Sequence, residues 1–240
     1  MSNTKRSDSL YIKFKESFDL DPFSATTKVL ALKVNAKFAL KTGDHDTPLA
    51  PKAWEDAVMT GKNLSVIRTS VPDTIYVSPY TRTLQTLDAI KEGWPALKKC
   101  QTVEDERIRE QEHGLSLLYA NWRVFFALNP EQKALSDLQK SYWYQYPQGE
   151  SVPMLRERLK SFMTTLTREH SGQDILVITH HLSILSFRAN FERLGWEKFI
   201  ELDETQKPIN CGVTEYRSNP GDGASGMGKL KLQYYNKSLL

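Results

Sequence analysis

The run of apolar and polar positions along the chain changes period repeatedly, and each change predicts an element. "TKVLALKV" (27–34) is mostly apolar and rich in β-branched residues, which suits a strand covered on both faces. "PKAWEDAVMTGKNL" (51–64) has the spacing of a short helix ending near Gly61. "DTIYVSP" (73–79) predicts a second buried strand that stops at a Ser-Pro turn. The following "YTRTLQTLDAIKEG" (80–93) puts Leu84, Leu87 and Ile90 on one side of a helix, with Gly93 as its stop. Residues 152–170 form a strongly amphipathic pattern, with Leu155, Leu159, Phe162 and Leu166 at helical spacing. "DILVITH" is a third buried strand, and "LSILSFRANFERLG" a helix closed by Gly195. "CGVTEYR" and "KLKLQYYN" alternate as an antiparallel pair at the sheet edge, joined by a glycine-rich loop.

Strand and helix in alternation predict an α/β fold, a mainly parallel sheet with helices on both faces in three layers. In such folds ligands sit beyond the carboxyl ends of the strands. The segment 115–146 is helical and aromatic-rich, too long for a simple crossover, and is expected to be an inserted helical cap. Residues 1–26 are expected to be an N-terminal extension before a domain spanning 27–240.

Composition narrows the function. The 240 residues carry a net charge of +3 with no concentrated run of Lys and Arg, which argues against a nucleic-acid partner. No stretch of about 18 apolar residues occurs, so no membrane span is expected. Two cysteines, Cys100 and Cys211, make neither a disulfide framework nor a metal cluster, and a reducing cytoplasm is the expected compartment.

Three strand-end stretches carry the candidate chemistry. Arg82 lies one turn into the helix after the second strand, Glu110 lies ahead of a glycine in "RIREQEHG", and His180 stands at the tip of the third strand in "VITHHLSI". Taken singly, each is more commonly a solvated or structural side chain. Taken together and in this order they resemble the histidine phosphatase superfamily, with its phosphoglycerate mutase-like fold. "SPYTRTLQT" resembles that family's Ser-Pro-x-x-Arg-x-x-Gln-Thr motif, and "RIREQEHG" its Arg-Leu-x-Glu-x-x-x-Gly acid motif. "YPQGES" (146–151) is similar to the Pro-x-Gly-Glu-Ser before its long helix, and "LVITHHLSI" to its second histidine motif, where His-Gly is commoner than His180–His181. "DTPLAPKAWEDAVMTGKNL" (46–64) is similar to a stretch that usually reads Asp-x-Pro-Leu-Thr before a helix.

The resemblance implies a phosphate-binding pocket in which His180 and Arg82 hold the phosphoryl group and His181 offers a backbone N–H. It implies Glu110 as general acid, no metal or other cofactor, a small phosphorylated ligand or phosphate as partner, and a homodimer as one open assembly. The chemistry of these residue types agrees. A phosphoryl group spreads charge over several oxygens and needs converging donors, which a guanidinium at a helix N-terminus and an imidazole supply.

One part of the pattern is absent. The family's nucleophile is a histidine in Arg-His-Gly at the end of the first strand, where this chain reads Val34-Asn35-Ala36. An amide nitrogen is not a nucleophile at neutral pH, and losing a covalent nucleophile costs on the order of 10³ to 10⁶ in turnover. The expectation is a catalytically impaired member or pseudoenzyme that retains its anion pocket. The alternatives stay open: an active phosphatase or phosphomutase with a substitute nucleophile, His45 or His181, one in which Asn35 is an altered catalytic histidine, or a shared fold put to another use. His113 is a candidate for the pocket rim, with exposure before a glycine turn as the plainer reading, and Trp143, Tyr144 and Tyr146 are candidates for a substrate mouth, explained equally well by cap packing. Ser151 and Pro153 carry a helix-start signal.

Overall fold

Residues 27–34 form no strand. In the computed structural model, which describes residues 7–38, 42–218 and 230–240, they lie inside helix α2 (Ala25–Phe38). An apolar run this short fits strand and helix alike, and two local features decide it. The Ser24 hydroxyl accepts from the Thr27 amide at 3.1 Å, capping the helix start. The buried side chains Thr27, Ala31 and Val34 then recur at i, i+4 and i+7, while Lys28 and Lys33 face solvent. The sequence signal for this was "PFSATTK", a serine ahead of a run containing three alanines.

The chain divides into two units. The first comprises residues 1–47 and 111–155. Helices α1 (Ser9–Leu20) and α2 form a hairpin, closed by an ion pair from Lys37 Nζ to Asp8 Oδ2 at 2.6 Å. Asp8 also caps α1 by accepting from the Leu10 and Tyr11 amides. Helices α5 (Trp122–Leu128) and α6 (Pro130–Trp143) follow, so the segment expected to be helical and aromatic-rich is so. Phe14, Phe18, Ala31, Val34, Val124, Phe125, Phe126 and Tyr144 make one apolar core.

The second unit comprises residues 48–110 and 156–240. Its centre is a three-stranded parallel sheet in the order β2-β1-β3, built from β1 (Thr74–Val77), β2 (Gln101–Glu104) and β3 (Ile175–Ile178). Alternation along β1 assigns its two faces. Ile75 and Val77 join a cluster with Ala57 and Leu64 of α3 (Pro51–Ile67) and Leu87 and Ile90 of α4 (Thr81–Gly93). Between them, Tyr76 meets the Phe162 ring of α7 (Val152–Glu169) edge-on at 5.0 Å. Helices therefore cover both faces. Helices α3 and α4 approach so closely that a Cβ at Gly93 would overlap the Val58 carbonyl oxygen.

Helices α8 (His181–Phe191) and α9 (Trp196–Thr205) lead to an antiparallel pair, β4 (Val213–Ser218) and β5 (Leu230–Lys237). The pairing agrees with expectation, but its place does not. Among the described residues β4 and β5 form a sheet of their own, separate from the three-stranded sheet. No helix among these residues is long and apolar enough to cross a membrane.

Candidate functional site

The carboxyl ends of β1 and β3 are locked side by side, and that brings Arg82 and His180 together. After β1 the ladder continues one residue, with the Ser78 amide donating to the Ile178 carbonyl at 3.0 Å. The chain then turns into α4 through Tyr80, and the Thr83 hydroxyl donates to both the Ser78 and Tyr80 carbonyls. Arg82 thus stands in the first turn of α4, and its guanidinium lies over the Tyr80 ring, 4.6 Å from the centroid. On the neighbouring strand, His180 occupies the position just before α8 and is buried.

Two contacts fix the His180 ring. Its Nε2 is 2.7 Å from the Ser78 hydroxyl, and its ring meets Tyr80 edge-on at 5.0 Å. Burial pushes the imidazole pKa down to about 3, aided by the Arg82 and Arg158 cations. The ring is therefore neutral at pH 7, with one ring nitrogen a donor and the other an acceptor.

Glu110 belongs to the same cluster. Its carboxylate accepts from the Leu182 amide at 3.2 and 3.4 Å, at the positive end of α8. The loop carrying it is braced from several sides. Arg158 of α7 donates to the carbonyls of Arg107, Arg109 and Glu110, while Thr179 and Ser183 donate to those of Ile108 and Arg109. Sequence reasoning missed Ser78, Tyr80 and Arg158 as parts of this cluster. Ser78 and Tyr80 sit within the quoted "SPYTR", but neither carries charge. Arg158 reads as one more cation on an amphipathic helix until the loop beneath it is seen.

His181 is turned elsewhere. Its Nε2 lies 2.6 Å from Asp203 Oδ1 of α9. Burial pushes the Asp203 carboxyl up, but His181 and Lys207 together hold it below the ordinary carboxylate range. The imidazole thus serves the α8–α9 packing, and only the backbone N–H of His181 remains at the head of α8.

Asn35 belongs to the first unit, in the last turns of α2 rather than at a strand end. Its Oδ1 accepts from the Ala120 amide at 2.8 Å. The placement of Val34-Asn35-Ala36 at the tip of a strand is therefore corrected: Val34 is a buried core residue and Asn35 a helix-to-loop tie. His45 and His113 also lie in the first unit, His45 exposed beside Asp46 and His113 against the Tyr146 ring. Tyr144 packs among Phe126 and Tyr146, whereas Trp143 is half exposed. Among the described residues no group of three or more His, Cys, Asp or Glu side chains is arranged to hold a metal ion.

Comparisons with known proteins agree with this fold. Residues 35–224 match the model of the histidine phosphatase superfamily, branch 1, a match that starts after the 27–34 run. The phosphoglycerate mutase-like protein AT74H of Arabidopsis thaliana is 27% identical over 218 residues, 83% of this chain and 73% of its own length. Phosphoserine phosphatase 1 of Hydrogenobacter thermophilus is 27% identical over 114 residues, 45% of this chain and 48% of that protein. Among solved structures, Bacillus stearothermophilus YhfR superimposes with a TM-score of 0.67 at 20% identity, covering 87% of this chain and 94% of its own. A mycobacterial glucosyl-3-phosphoglycerate phosphatase gives 0.63 at 18% identity, covering 82% and 91%.

Proposed function

Because the chain belongs to branch 1 of the histidine phosphatase superfamily, we propose that Arg82 and His180 bind a phosphate or phosphoryl group without a metal and that turnover by the family's route is lost or severely impaired. The observation that carries the binding half is the pairing itself. A guanidinium in the first turn of α4 and a buried imidazole at the head of α8 sit on one aromatic ring, at the ends of adjacent parallel strands. Two helix N-termini open there, and their amides favour an anion. A phosphate dianion arriving beside His180 offsets the repulsion from Arg82 and Arg158, so binding favours protonation of the ring.

The second half rests on the sequence and on α2. No Arg-His dipeptide occurs anywhere in the chain, and the segment aligned with that motif is helical. Without a nucleophile the pocket can hold a phosphoryl group but has nothing to receive it. Relatives named as phosphatases of phosphorylated metabolites support a small phosphorylated ligand.

The test is two measurements on the full chain. Inorganic phosphate is titrated calorimetrically into the wild type and Arg82→Ala, and hydrolysis of an aryl phosphate is followed between pH 5 and 7. Binding that Arg82→Ala abolishes, together with hydrolysis at the background rate, is expected. Turnover that disappears in His45→Ala or His181→Ala overturns the impaired reading.

A further inference from the structure

We propose that Tyr80 is a positioning residue, whose ring sets the spacing of Arg82 and His180 and keeps water from the imidazole. The inference deepens the anion-binding reading and rests on it for the ligand. Tyr80 is buried, 5% exposed, and its ring meets both of the groups the anion needs. The guanidinium carbon of Arg82 lies 4.6 Å above the ring centroid. The His180 ring meets the same ring at 5.0 Å and 66°.

One rigid side chain with few rotamers therefore orders two others. Arg82 follows Tyr80 by two residues at the start of α4, where the backbone is fixed by the Thr83 amide and hydroxyl donating to the Tyr80 carbonyl. The ring face then takes the cation, which restricts a side chain that otherwise has wide freedom. Ordering that is already complete before the ligand arrives need not be supplied by binding. The same ring meets the imidazole edge-on, while Ser78 lies beside Nε2. The charged and titratable groups around His180 are Arg82 from α4, Arg158 from α7 and Glu110 on the Leu182 amide. Both cations and the burial oppose protonation of His180, so a ring that excludes water acts in the same direction as they do.

The experiment compares the wild type, Tyr80→Phe and Tyr80→Leu, with Tyr80→Met as a second small-side-chain variant if the leucine protein does not fold. Two readouts are taken on each full-length protein: the affinity for inorganic phosphate and the NMR titration of the His180 ring protons in the free protein, assigned through His180→Gln. Tyr80→Phe keeps the ring and is expected to match the wild type in both. Tyr80→Leu is expected to weaken phosphate binding roughly tenfold and to move the His180 titration upward toward the ordinary histidine range. If Tyr80→Leu and Tyr80→Phe titrate alike and bind alike while Arg82→Ala abolishes binding, the anion-binding reading stands and the role given to Tyr80 falls. If even the wild type takes up no phosphate, the anion-binding reading falls with the binding half of this proposal. The titration then decides whether the ring shields His180.

Discussion

Replacing His180 by glutamine should remove a pH dependence of stability that the wild type shows on its acid side. The folded-state pKa of this imidazole is about 3, against about 6.5 for a histidine in an unfolded chain. Above pH 6.5 the ring is neutral in both states and its contribution is fully present. As pH falls below 6.5, the unfolded chain takes a proton that the folded chain refuses, so stability declines until the pH reaches about 3. Each pH unit inside that window costs about 1.4 kcal/mol, which gives about 2 kcal/mol between pH 7.5 and 5 and about 4–5 kcal/mol over the whole window. Only the upper part is clean, because carboxylates held low, such as those of Asp203 and Glu215, begin to lose their contributions below about pH 5. Urea unfolding of wild type and His180→Gln at pH 7.5, 6 and 5 isolates the effect, since the other histidines are common to both proteins. The wild type should lose about 2 kcal/mol more than the variant over that range. Parallel curves would refute the reasoning, for they require an imidazole that titrates like one in water.

Asn35→His should create no phosphatase activity, because residue 35 lies in helix α2 and its amide oxygen serves Ala120. It should instead destabilise the protein by about 0.5–1.5 kcal/mol, and aryl phosphate turnover above background would contradict the helical placement. Gly93→Ala forces a Cβ into the Val58 carbonyl at the α3–α4 crossing. The expected cost is about 1–3 kcal/mol, read as a lower Tm, and an unchanged Tm would mean the two helices have room to part. The amides of β3 that do not face β1 should exchange with deuterium far faster than those of β1, since β3 has no second strand partner among the described residues. Uniform protection across β3 would show that another strand pairs there.

Most of the second unit was legible in the sequence. "DTIYVSP" and "DILVITH" carry enough β-branched and apolar residues, closed by turn signals, to read as buried strands, and both are. The helices at 81–93 and 152–169 were equally plain, because their apolar residues repeat at helical spacing over three turns or more, whereas the helix expected to end near Gly61 runs on to Ile67. Residues 27–34 misled for a physical reason. Eight residues are too few for periodicity to separate the two structures, and "TKVLALKV" has β-branched residues at three positions. The Ser24 cap and the burial of Thr27, Ala31 and Val34 against the aromatic residues of α1 and α5 decide for a helix. Tertiary contacts of that kind leave no mark in an eight-residue window. The same misreading placed Asn35 at a strand tip. The motifs gave Arg82, Glu110 and His180, whereas the uncharged contacts between them could be found only in three dimensions.

The members of the cluster at the ends of β1 and β3 also hold the fold together. The Glu110 carboxylate takes a backbone amide of α8, Arg158 ties down the loop that carries Glu110, and Ser78 fixes the His180 ring. Removing any of them leaves buried polar groups without their partners, a cost of about 1–3 kcal/mol each. On the proposed reading Arg82 differs: its guanidinium rests on Tyr80 at the start of α4 and would meet an anion directly. Preserved geometry at Glu110 and Ser78 thus says little about turnover, since stability alone accounts for it. Arg82 is the member whose loss should alter phosphate affinity far more than stability, and a mutant that moves both together would mean the pocket is only a piece of the scaffold.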